Sequence, residues 1–235
     1  MPQHQNNAAL ADRIVAFERR LLAHMHEITV PVHLSLGQEH VAVEIAEHFM
    51  LRDWWFSTHR NHHHYIAAGG NEQALWDEIF GLETGINHGF SGSQAISDPS
   101  INFHSSAIVG GLVGVAVGTA CALKMDRSGA IVVCCVGDAG TEAGVFWESL
   151  NFAALHELPI AFICENNGMS VDSMIGERQY MPLNIRVEAF GVAAYDSVAA
   201  AMQGARMGIP SFCERKVTLL ADHINMGRLA PSKVI

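Results

Sequence analysis

The chain has 235 residues, of which 49% are apolar, and a formal net charge of −10 at pH 7. This length allows one large or two small domains, and the apolar share is sufficient for a full buried core. The negative charge and the lack of a basic run argue against nucleic acid as a partner.

Cysteine usage indicates a reducing compartment. The five Cys residues form no CxxC pair, and Cys134 and Cys135 fall inside a predicted buried strand. This pattern gives neither a disulfide framework nor a zinc site. The N-terminus is polar and shows no signal peptide, so we expect a cytoplasmic protein.

The first part of the chain is predicted to be helical. Asn7–Ile28 and Gln38–Leu51 both show the spacing of an amphipathic helix, and a loop that carries His33 lies between them. These two helices form an N-terminal helical segment. The apolar face of the first helix comprises Leu10, Ile14, Phe17, Leu21 and Leu22.

Histidines are concentrated in the next stretch, residues 59–64. One interpretation is a transition-metal site. Three consecutive His side chains, however, cannot converge on one ion from a helix or a strand. We therefore expect His63 and His64 to lie in a solvated loop. The aromatic residues 54–56 are expected to offer surface for burial against other subunits.

The central region combines a loop with an uncharged helix. Residues 85–106 are rich in Gly and Ser, which is typical of a functional or mobile loop. Ala107–Leu123 carries no charge, but it is short for a membrane span and holds four Gly. We predict a buried helix there. Its small residues at Gly110, Gly114 and Gly118 permit close packing, inside the subunit or across an interface.

A β-α-β unit follows. Ala130–Val136 and Pro159–Glu165 are apolar runs typical of buried strands, and Glu142–His156 has helical spacing. Asp138 comes just after the first strand and Asn167 just after the second. We expect Asp138 and Asn167 to lie side by side, because both follow the carboxyl ends of these two strands. Ligands bind at the carboxyl ends of parallel strands in such folds.

Strands and helices continue to alternate towards the C-terminus. We predict a strand at Ile185–Val192, a helix at Tyr195–Met207 and a strand at Ser211–Leu220. This alternation predicts an α/β fold with a central, mostly parallel sheet and helices on both faces.

The polar residues after the two strands suit a hard cation. Asp138 offers a carboxylate, Asn167 an amide oxygen and Met169 a backbone carbonyl, and Mg2+ prefers such oxygen ligands together with phosphate oxygens. The amides of Ala139 and Gly140 lie at a helix start, where a phosphate is favoured. These residues describe a site for Mg2+ and a diphosphate. The alternative is that Asp138 only caps the helix.

A set of residues between 137 and 167 has a recognisable spacing. Its members are Gly137, Asp138, Glu142, Gly144, Glu148, Asn151, Ala154, Leu158, Pro159, Glu165, Asn166 and Asn167. Together they resemble the thiamine diphosphate motif, in the form found in alpha subunits of thiamine-dependent 2-oxo acid dehydrogenases. Transketolase is the nearest relative outside that group. Ala139 replaces the usual second Gly and keeps the turn tight. The resemblance extends more thinly over residues 30–227.

The resemblance implies a single thiamine diphosphate-binding domain over residues 1–235, with thiamine diphosphate and Mg2+ as cofactors. Arg60 matches the Arg that binds the diphosphate, and a guanidinium fork suits phosphate oxygens. His59 stands where the family often has Tyr. The implied cofactor-binding residues are His59, Arg60, Ala107, Val109, Gly137, Asp138, Ala139, Gly140 and Asn167, and the metal ligands are Asp138, Asn167 and Met169.

Three histidines are implied to be catalytic. His33 faces the cofactor phosphates or the substrate, His62 lies near the active-site mouth, and His223 matches an active-site His of relatives. Taken alone, His33 would be a surface loop residue. The family pattern has a His near residue 95 that is absent here, and His104 could fill that space.

The resemblance also implies that the chain is half of an enzyme. In this superfamily one domain binds the Mg-diphosphate and another provides the activating Glu. This chain matches the first and is too short for the second. We therefore expect a beta-type subunit and an α2β2 heterotetramer, with neither nucleic acid nor a membrane as a partner.

Two thiamine reactions remain open. One is oxidative decarboxylation of a 2-oxo acid by a dehydrogenase-like enzyme, with transfer of the acyl group to a lipoyl carrier. The other is ketol or acyl transfer by a split transketolase-like or acyloin-forming carboligase. A non-catalytic scaffold that keeps the fold is the alternative from another class. A nucleotide-binding Rossmann protein is disfavoured, because no GxGxxG follows a strand.

Overall fold

The computed structural model describes residues 7–221, and these divide into two compact units. The N-terminal unit contains residues 7–49, 59–105 and 218–221. The sheet unit contains residues 50–58 and 106–217. The prediction of a single domain over residues 1–235 stays a prediction.

The described residues form nine α-helices and nine strands, with three short 3-10 helices at Met25–Glu27, Pro99–Ile101 and Asp138–Glu142. The helices are α1 (Asn7–Ala23), α2 (Glu39–His48), α3 (His62–Ala67), α4 (Glu72–Ile79), α5 (Val113–Met125), α6 (Gly144–Leu155), α7 (Ile175–Arg178), α8 (Leu183–Ala189) and α9 (Val198–Arg206). The strands are β1 (Trp54–Phe56), β2 (Ser97–Asp98), β3 (Phe103–His104), β4 (Val132–Gly137), β5 (Ile160–Asn166), β6 (Met169–Ser170), β7 (Ser173–Met174), β8 (Ala193–Tyr195) and β9 (Ser211–Lys216).

The sheet unit is built on parallel strands in the order β1-β4-β5-β9-β8. The apolar runs of β4 and β5 form its centre because parallel strands are buried on both faces. Alternate residues of each strand point to one face, where α5, α6 and α8 complete an apolar cluster. Helix α9 packs on β5, β8 and β9 and contributes nothing to that cluster, so it covers the other face. The predicted parallel α/β sheet is confirmed.

The N-terminal unit is a helical layer with a small hairpin. Helices α1, α2 and α3 pack against one another, and β2 pairs with β3 in an antiparallel hairpin. The predicted apolar face of α1 is buried at Leu10, Ile14, Phe17 and Leu21. The helix ends at Ala23, five residues before the predicted end at Ile28.

Two predictions about local environment were wrong. His63 and His64 are fully buried on α3 rather than solvated. Trp55 and Phe56 are buried in β1, so they offer no surface to another subunit. Their strand pairs with β4 of the sheet unit, a contact made across nearly eighty residues of sequence. Local composition carries no sign of such a contact.

Two predicted elements differ as well. Ile185–Val192 was predicted as a strand, but Leu183–Ala189 is helix α8, with Leu183 and Val187 buried at helical spacing. The predicted helix at Ala107–Leu123 begins only at Val113, and only one of its faces is buried. The five cysteines, which all fall within residues 7–221, form no disulfide. Within residues 7–221, no helix is both long and apolar enough to span a bilayer.

Candidate functional site

The carboxyl edge of the sheet unit gathers the residues predicted for the metal. Strand β4 ends at Gly137, and the 3-10 helix Asp138–Glu142 follows directly. Strands β4 and β5 are parallel, with Gly137 opposite Glu165. Asp138 and the Asn166-Asn167 pair therefore follow neighbouring strand ends, as the chain order predicts.

Asp138 is a buried carboxylate with a cationic partner. The residue is 2% exposed, and Arg178 Nη2 donates to its Oδ2 over 2.6 Å. Arg178 also pairs with the carboxylate of Glu142. Burial raises the pKa of Asp138, and the hydrogen bond and charge of Arg178 oppose that shift only in part. The carboxylate thus occupies a place where a nearby cation is strongly favoured. It does not cap a helix.

Gln179 completes this arrangement. Its Nε2 lies 3.1 Å from the backbone oxygen of Asp138 and 3.1 Å from Oγ1 of Thr141. Thr141 Oγ1 itself donates to the Asp138 oxygen over 2.6 Å. The sequence alone does not point to Arg178 or Gln179. They follow a short hairpin about forty residues after Asp138, and no spacing in the sequence links them to it.

The chain after β5 bends back towards Asp138 through two side-chain turns. Asn166 Oδ1 accepts from the backbone N–H of Gly168, and Asn167 Oδ1 accepts from that of Met169, both at 2.8 Å. Gly168 has a φ of +78°, which favours glycine. Met169 begins β6, which packs against the 3-10 helix that starts at Asp138.

The turn before α5 lies against the same 3-10 helix. A Cβ atom built on Gly140 would lie 3.7 Å from Cγ1 of Val109 and 3.8 Å from the backbone nitrogen of Gly110. Gly110 itself has a φ of +73°, and a side chain there would come within 3.2 Å of Cβ of Ala143. Small residues at these positions allow the close approach. Ala107 and Val109 are exposed on this turn.

The residues at this edge fit a magnesium ion. The donors predicted for it are the Asp138 carboxylate, the Asn167 amide oxygen and the Met169 carbonyl, all of which are oxygens. The positive charge beside Asp138 comes from Arg178 in this structure. A divalent cation could supply the same charge to the buried carboxylate.

In the N-terminal unit, three predicted residues come together around one loop. The rings of His33 and His59 are in edge contact, with centroids 4.5 Å apart. Arg60 is buried, and its Nη1 donates to the backbone oxygen of Leu34. His33 is itself buried, and its Nδ1 lies 2.9 Å from Nε2 of Gln94. His33 is therefore not a surface loop residue.

His62 lies in the interior of the N-terminal unit. Its Nδ1 is 3.2 Å from Oε1 of Glu18 and its Nε2 is 2.8 Å from Oγ of Ser93, and all three residues are buried. Glu18 and Ser93 were not identified from the sequence. Glu18 is the single acidic residue on the buried face of α1, and this polar break in an apolar face was the available signal.

His223 lies outside the described residues. The described part of the C-terminal segment nevertheless returns to the loop that carries His33. The backbone N–H of Leu220 donates to the oxygen of Leu36 over 2.9 Å. His104 sits on the hairpin, with its Nδ1 2.9 Å from Oγ of Ser97. Burial lowers the pKa of His104 against an opposing effect of the Asp98 charge.

Comparison with known proteins assigns a family. Residues 8–192 match the family described as dehydrogenase E1 component. The alpha subunit of acetoin:2,6-dichlorophenolindophenol oxidoreductase from Bacillus subtilis (strain 168) is 41% identical over 138 residues, which are 58% of this chain and 41% of that protein. The pyruvate dehydrogenase E1 component subunit alpha of Porphyra purpurea is 34% identical over 170 residues, 68% of this chain and 49% of that protein. The chain spans half or less of the length of these relatives.

A solved structure shows the same fold. Transketolase from Campylobacter jejuni subsp. jejuni NCTC 11168 superposes with a TM-score of 0.66, covering 89% of this chain and 38% of that one. The sequence identity is 17%, so this likeness concerns the fold alone.

Proposed function

Because this chain belongs to the dehydrogenase E1 component family, we propose that it is the alpha-type subunit of a thiamine diphosphate-dependent enzyme acting on a 2-oxo acid. The enzyme is a dehydrogenase-like decarboxylase that needs a beta-type subunit, in an α2β2 assembly located in the cytoplasm. Several relatives are named as alpha subunits, and this supports the proposal that a second kind of chain is needed.

One observation carries the proposal, namely the buried carboxylate of Asp138 at the carboxyl end of β4. An ionised carboxylate is costly to bury without a partner. The raised pKa of Asp138 shows that Arg178 does not fully offset this cost. A divalent cation shared with a diphosphate would offset the remaining cost of burying the carboxylate. Binding that cation is the proposed role of Asp138.

The proposal assigns roles to the chain's own residues. Asp138, Asn167 and Met169 hold Mg2+. Amides of the Gly137–Gly140 turn and the side chains of His59 and Arg60 bind the diphosphate. Backbone groups from Ala107 to Val109 hold the aminopyrimidine ring. When bound, thiamine diphosphate supplies an electron sink for cleavage of a bond next to a carbonyl carbon.

The histidines are assigned to proton handling and orientation. His33 and His223 transfer protons to or from the substrate or orient it, which suits a group that changes charge near neutral pH. His62 belongs to the same catalytic set. Its two buried hydrogen-bond partners support an action through neighbouring residues.

A second candidate substrate comes from the relatives. Proteins from Bacillus subtilis and another bacterium are named for acetoin, an acyloin, and for an artificial dye as electron acceptor. A carboligase-type enzyme that makes or cleaves an acyloin is therefore the alternative to 2-oxo acid decarboxylation. In 2-oxo acid decarboxylation, a lipoyl carrier accepts the acyl group.

The metal site is tested by replacing its carboxylate. In the complex with the beta-type chain, we expect Asp138→Ala to abolish thiamine diphosphate binding in calorimetric titrations with Mg2+. Asp126→Ala is the matched control, because Asp126 is an exposed residue at the end of α5. Undiminished affinity in Asp138→Ala would overturn the assignment. Failure of the wild-type complex to bind the cofactor would favour the non-catalytic scaffold.

The reaction is tested with the same complex. Dye reduction is followed with pyruvate, branched 2-oxo acids and acetoin, and transfer is followed with ketose phosphates. Turnover of a 2-oxo acid supports the proposal. Turnover of acetoin alone, or ketose transfer alone, would replace it by the carboligase alternative.

A further inference from the structure

A line of polar side chains, all buried except the half-buried Gln94, runs through the N-terminal unit and ends at His33. Glu18 Oε1 lies 3.2 Å from His62 Nδ1, and His62 Nε2 lies 2.8 Å from Ser93 Oγ. The residue after Ser93 is Gln94, whose Nε2 lies 2.9 Å from His33 Nδ1. The line therefore connects the interior of α1 with a histidine that is assigned to the substrate.

At the inner end of this line, the Glu18 carboxylate is paired with the His62 ring in the interior of the unit. Burial acts to raise the pKa of Glu18, but the charge of His62 and the hydrogen bonds from His62 and Ser35 outweigh it and hold that pKa below its ordinary value. Glu18 is thus a carboxylate that accepts from both neighbours. With Glu18 and Ser93 on opposite sides of its ring, His62 is fixed in position.

The segment at Ser93 and Gln94 has no regular secondary structure and is held by side chains. Asn61 Nδ2 donates to the backbone oxygens of Ser93 and Gln94 over 2.9 and 3.2 Å. Ser105 Oγ donates to the oxygen of Gln94 over 2.9 Å. Together with the contact between His62 and Ser93, these bonds fix the point from which the Gln94 side chain extends.

We propose that Gln94 is a positioning residue that sets the tautomer of His33. The amide nitrogen of Gln94 has only donor hydrogens, so Nδ1 of a neutral His33 must accept and the ring proton must lie on Nε2. The ring of His59 packs edge-on against His33 and limits its rotation. The pair formed by Glu18 and His62 holds Ser93 and Gln94 in place for this contact.

The consequence for catalysis rests on the proposed function. A His33 ring with its proton on Nε2 presents a hydrogen-bond donor at that nitrogen. The reversed tautomer presents an acceptor there instead. The tautomer itself is a property of this chain alone, so it can be tested without cofactor or substrate.

The test is nitrogen NMR of the full chain labelled in its histidines, at a pH where His33 is neutral. The His33 signals are assigned by their loss in His33→Gln. We expect Nδ1 to be unprotonated in the wild type. In Gln94→Glu the side chain can only accept, so the proton should move to Nδ1. A wild-type His33 protonated on Nδ1, or a Gln94→Glu chain with unchanged signals, would overturn the proposal.

The role of the buried line is tested with Ser93→Ala. We expect faster backbone hydrogen exchange in residues 91–95 and two His33 tautomers in exchange, because Gln94 is no longer fixed. Ser100→Ala is the control, since Ser100 is an exposed residue in the same unit. Unchanged His33 signals and exchange rates in Ser93→Ala would refute this part.

The catalytic consequence is read from the complex with the beta-type chain. Gln94→Glu should lower turnover about 100-fold, the scale of general acid–base catalysis, with little change in cofactor affinity. In Gln94→Met, whose side chain has a similar size and no hydrogen-bonding amide, turnover should fall less than in Gln94→Glu. Full turnover by Gln94→Glu would overturn the positioning role. Failure of the wild-type complex to bind the cofactor would instead count against the proposed function.

Discussion

Arg178 occupies the position of a counter-ion to the proposed metal ligand. Its guanidinium contacts the carboxylates of both Asp138 and Glu142 and is itself mostly buried. A metal ion bound to the Asp138 carboxylate would lie close to the Arg178 guanidinium, and the two positive charges would repel each other. We therefore expect Arg178 to lower the observed metal affinity, whether it stays in place or is displaced with loss of its ion pairs.

Replacement of Arg178 tests this competition. We expect Arg178→Gln to bind Mn2+ more tightly than the wild type, by a factor on the order of ten, or about 1.4 kcal/mol. The measurement is a Mn2+ titration of the complex with thiamine diphosphate, followed by electron paramagnetic resonance. Arg19→Gln, at an exposed position on α1, is the control. Equal or weaker affinity in Arg178→Gln would show that Arg178 instead assists cofactor binding.

The pair formed by Glu18 and His62 should dominate the acid sensitivity of the N-terminal unit. The pKa of Glu18 is lowered in the folded chain, so its carboxylate stabilises the fold above its unfolded pKa of about 4.5. That contribution is lost as the pH falls through the lower folded value. We expect Glu18→Gln to reduce the free energy of unfolding by about 3–5 kcal/mol at pH 7 and to lessen the loss below pH 4.5.

The matched control is an exposed ion pair that joins α1 to α4. Glu72 lies 2.5 Å from Arg13, and both side chains are partly exposed. Glu72→Gln should change the free energy of unfolding by no more than about 1 kcal/mol. Denaturant unfolding of both variants between pH 3 and pH 7 gives the comparison. Equal losses in the two variants would contradict a special role for the buried pair.

Among the helices and strands, α5 has an apolar face that is exposed in this chain. Val113, Ala116, Val117 and Ala120 are buried, while Val115 is 53% exposed. A side chain at Gly118 would meet no atom within 4 Å. The turn before the helix exposes Ile108 and Val109 beside Gly140. An exposed apolar surface next to the proposed cofactor site would fit the proposed beta-type subunit, which under that proposal completes the site.

This surface can be tested without harm to the fold. Gly118→Lys should leave the lone chain folded, because the position is open and Gly is a poor helix former. It should prevent co-purification with the beta-type chain, since a charge would be buried in the contact. Gly118→Ala should stabilise the lone chain by about 0.5–1 kcal/mol and retain the partner. A Gly118→Lys chain that still forms the full complex would place the partner elsewhere.

For the molecule as a whole, the proposed function predicts that the purified chain is inactive alone. Under the proposed function, this chain binds the diphosphate and the beta-type subunit provides the activating Glu. We expect no turnover of any 2-oxo acid or of acetoin by the lone chain, and activity after addition of the beta-type subunit. Turnover by the partner-free chain would require an activating carboxylate within these residues.

The sequence by itself was sufficient for the parallel sheet and its polar edge. The apolar runs of β4 and β5 are long, uninterrupted and bounded by polar residues, and such local patterns survive in any packing. The position of Asp138 after one strand and Asn167 after the next follows from chain order alone. The family also followed from the spacing of residues between 137 and 167.

Other features depended on contacts between distant segments, and only the tertiary structure decided them. Arg178 reaches Asp138 through a hairpin, and Gln94 reaches His33 across a loop without periodicity. His63 and His64 are polar residues for which the sequence predicts a solvated loop, yet they are fully buried on α3. The burial and pairing of polar side chains depend on neighbours that are distant in sequence. Local propensity and residue spacing therefore cannot predict them.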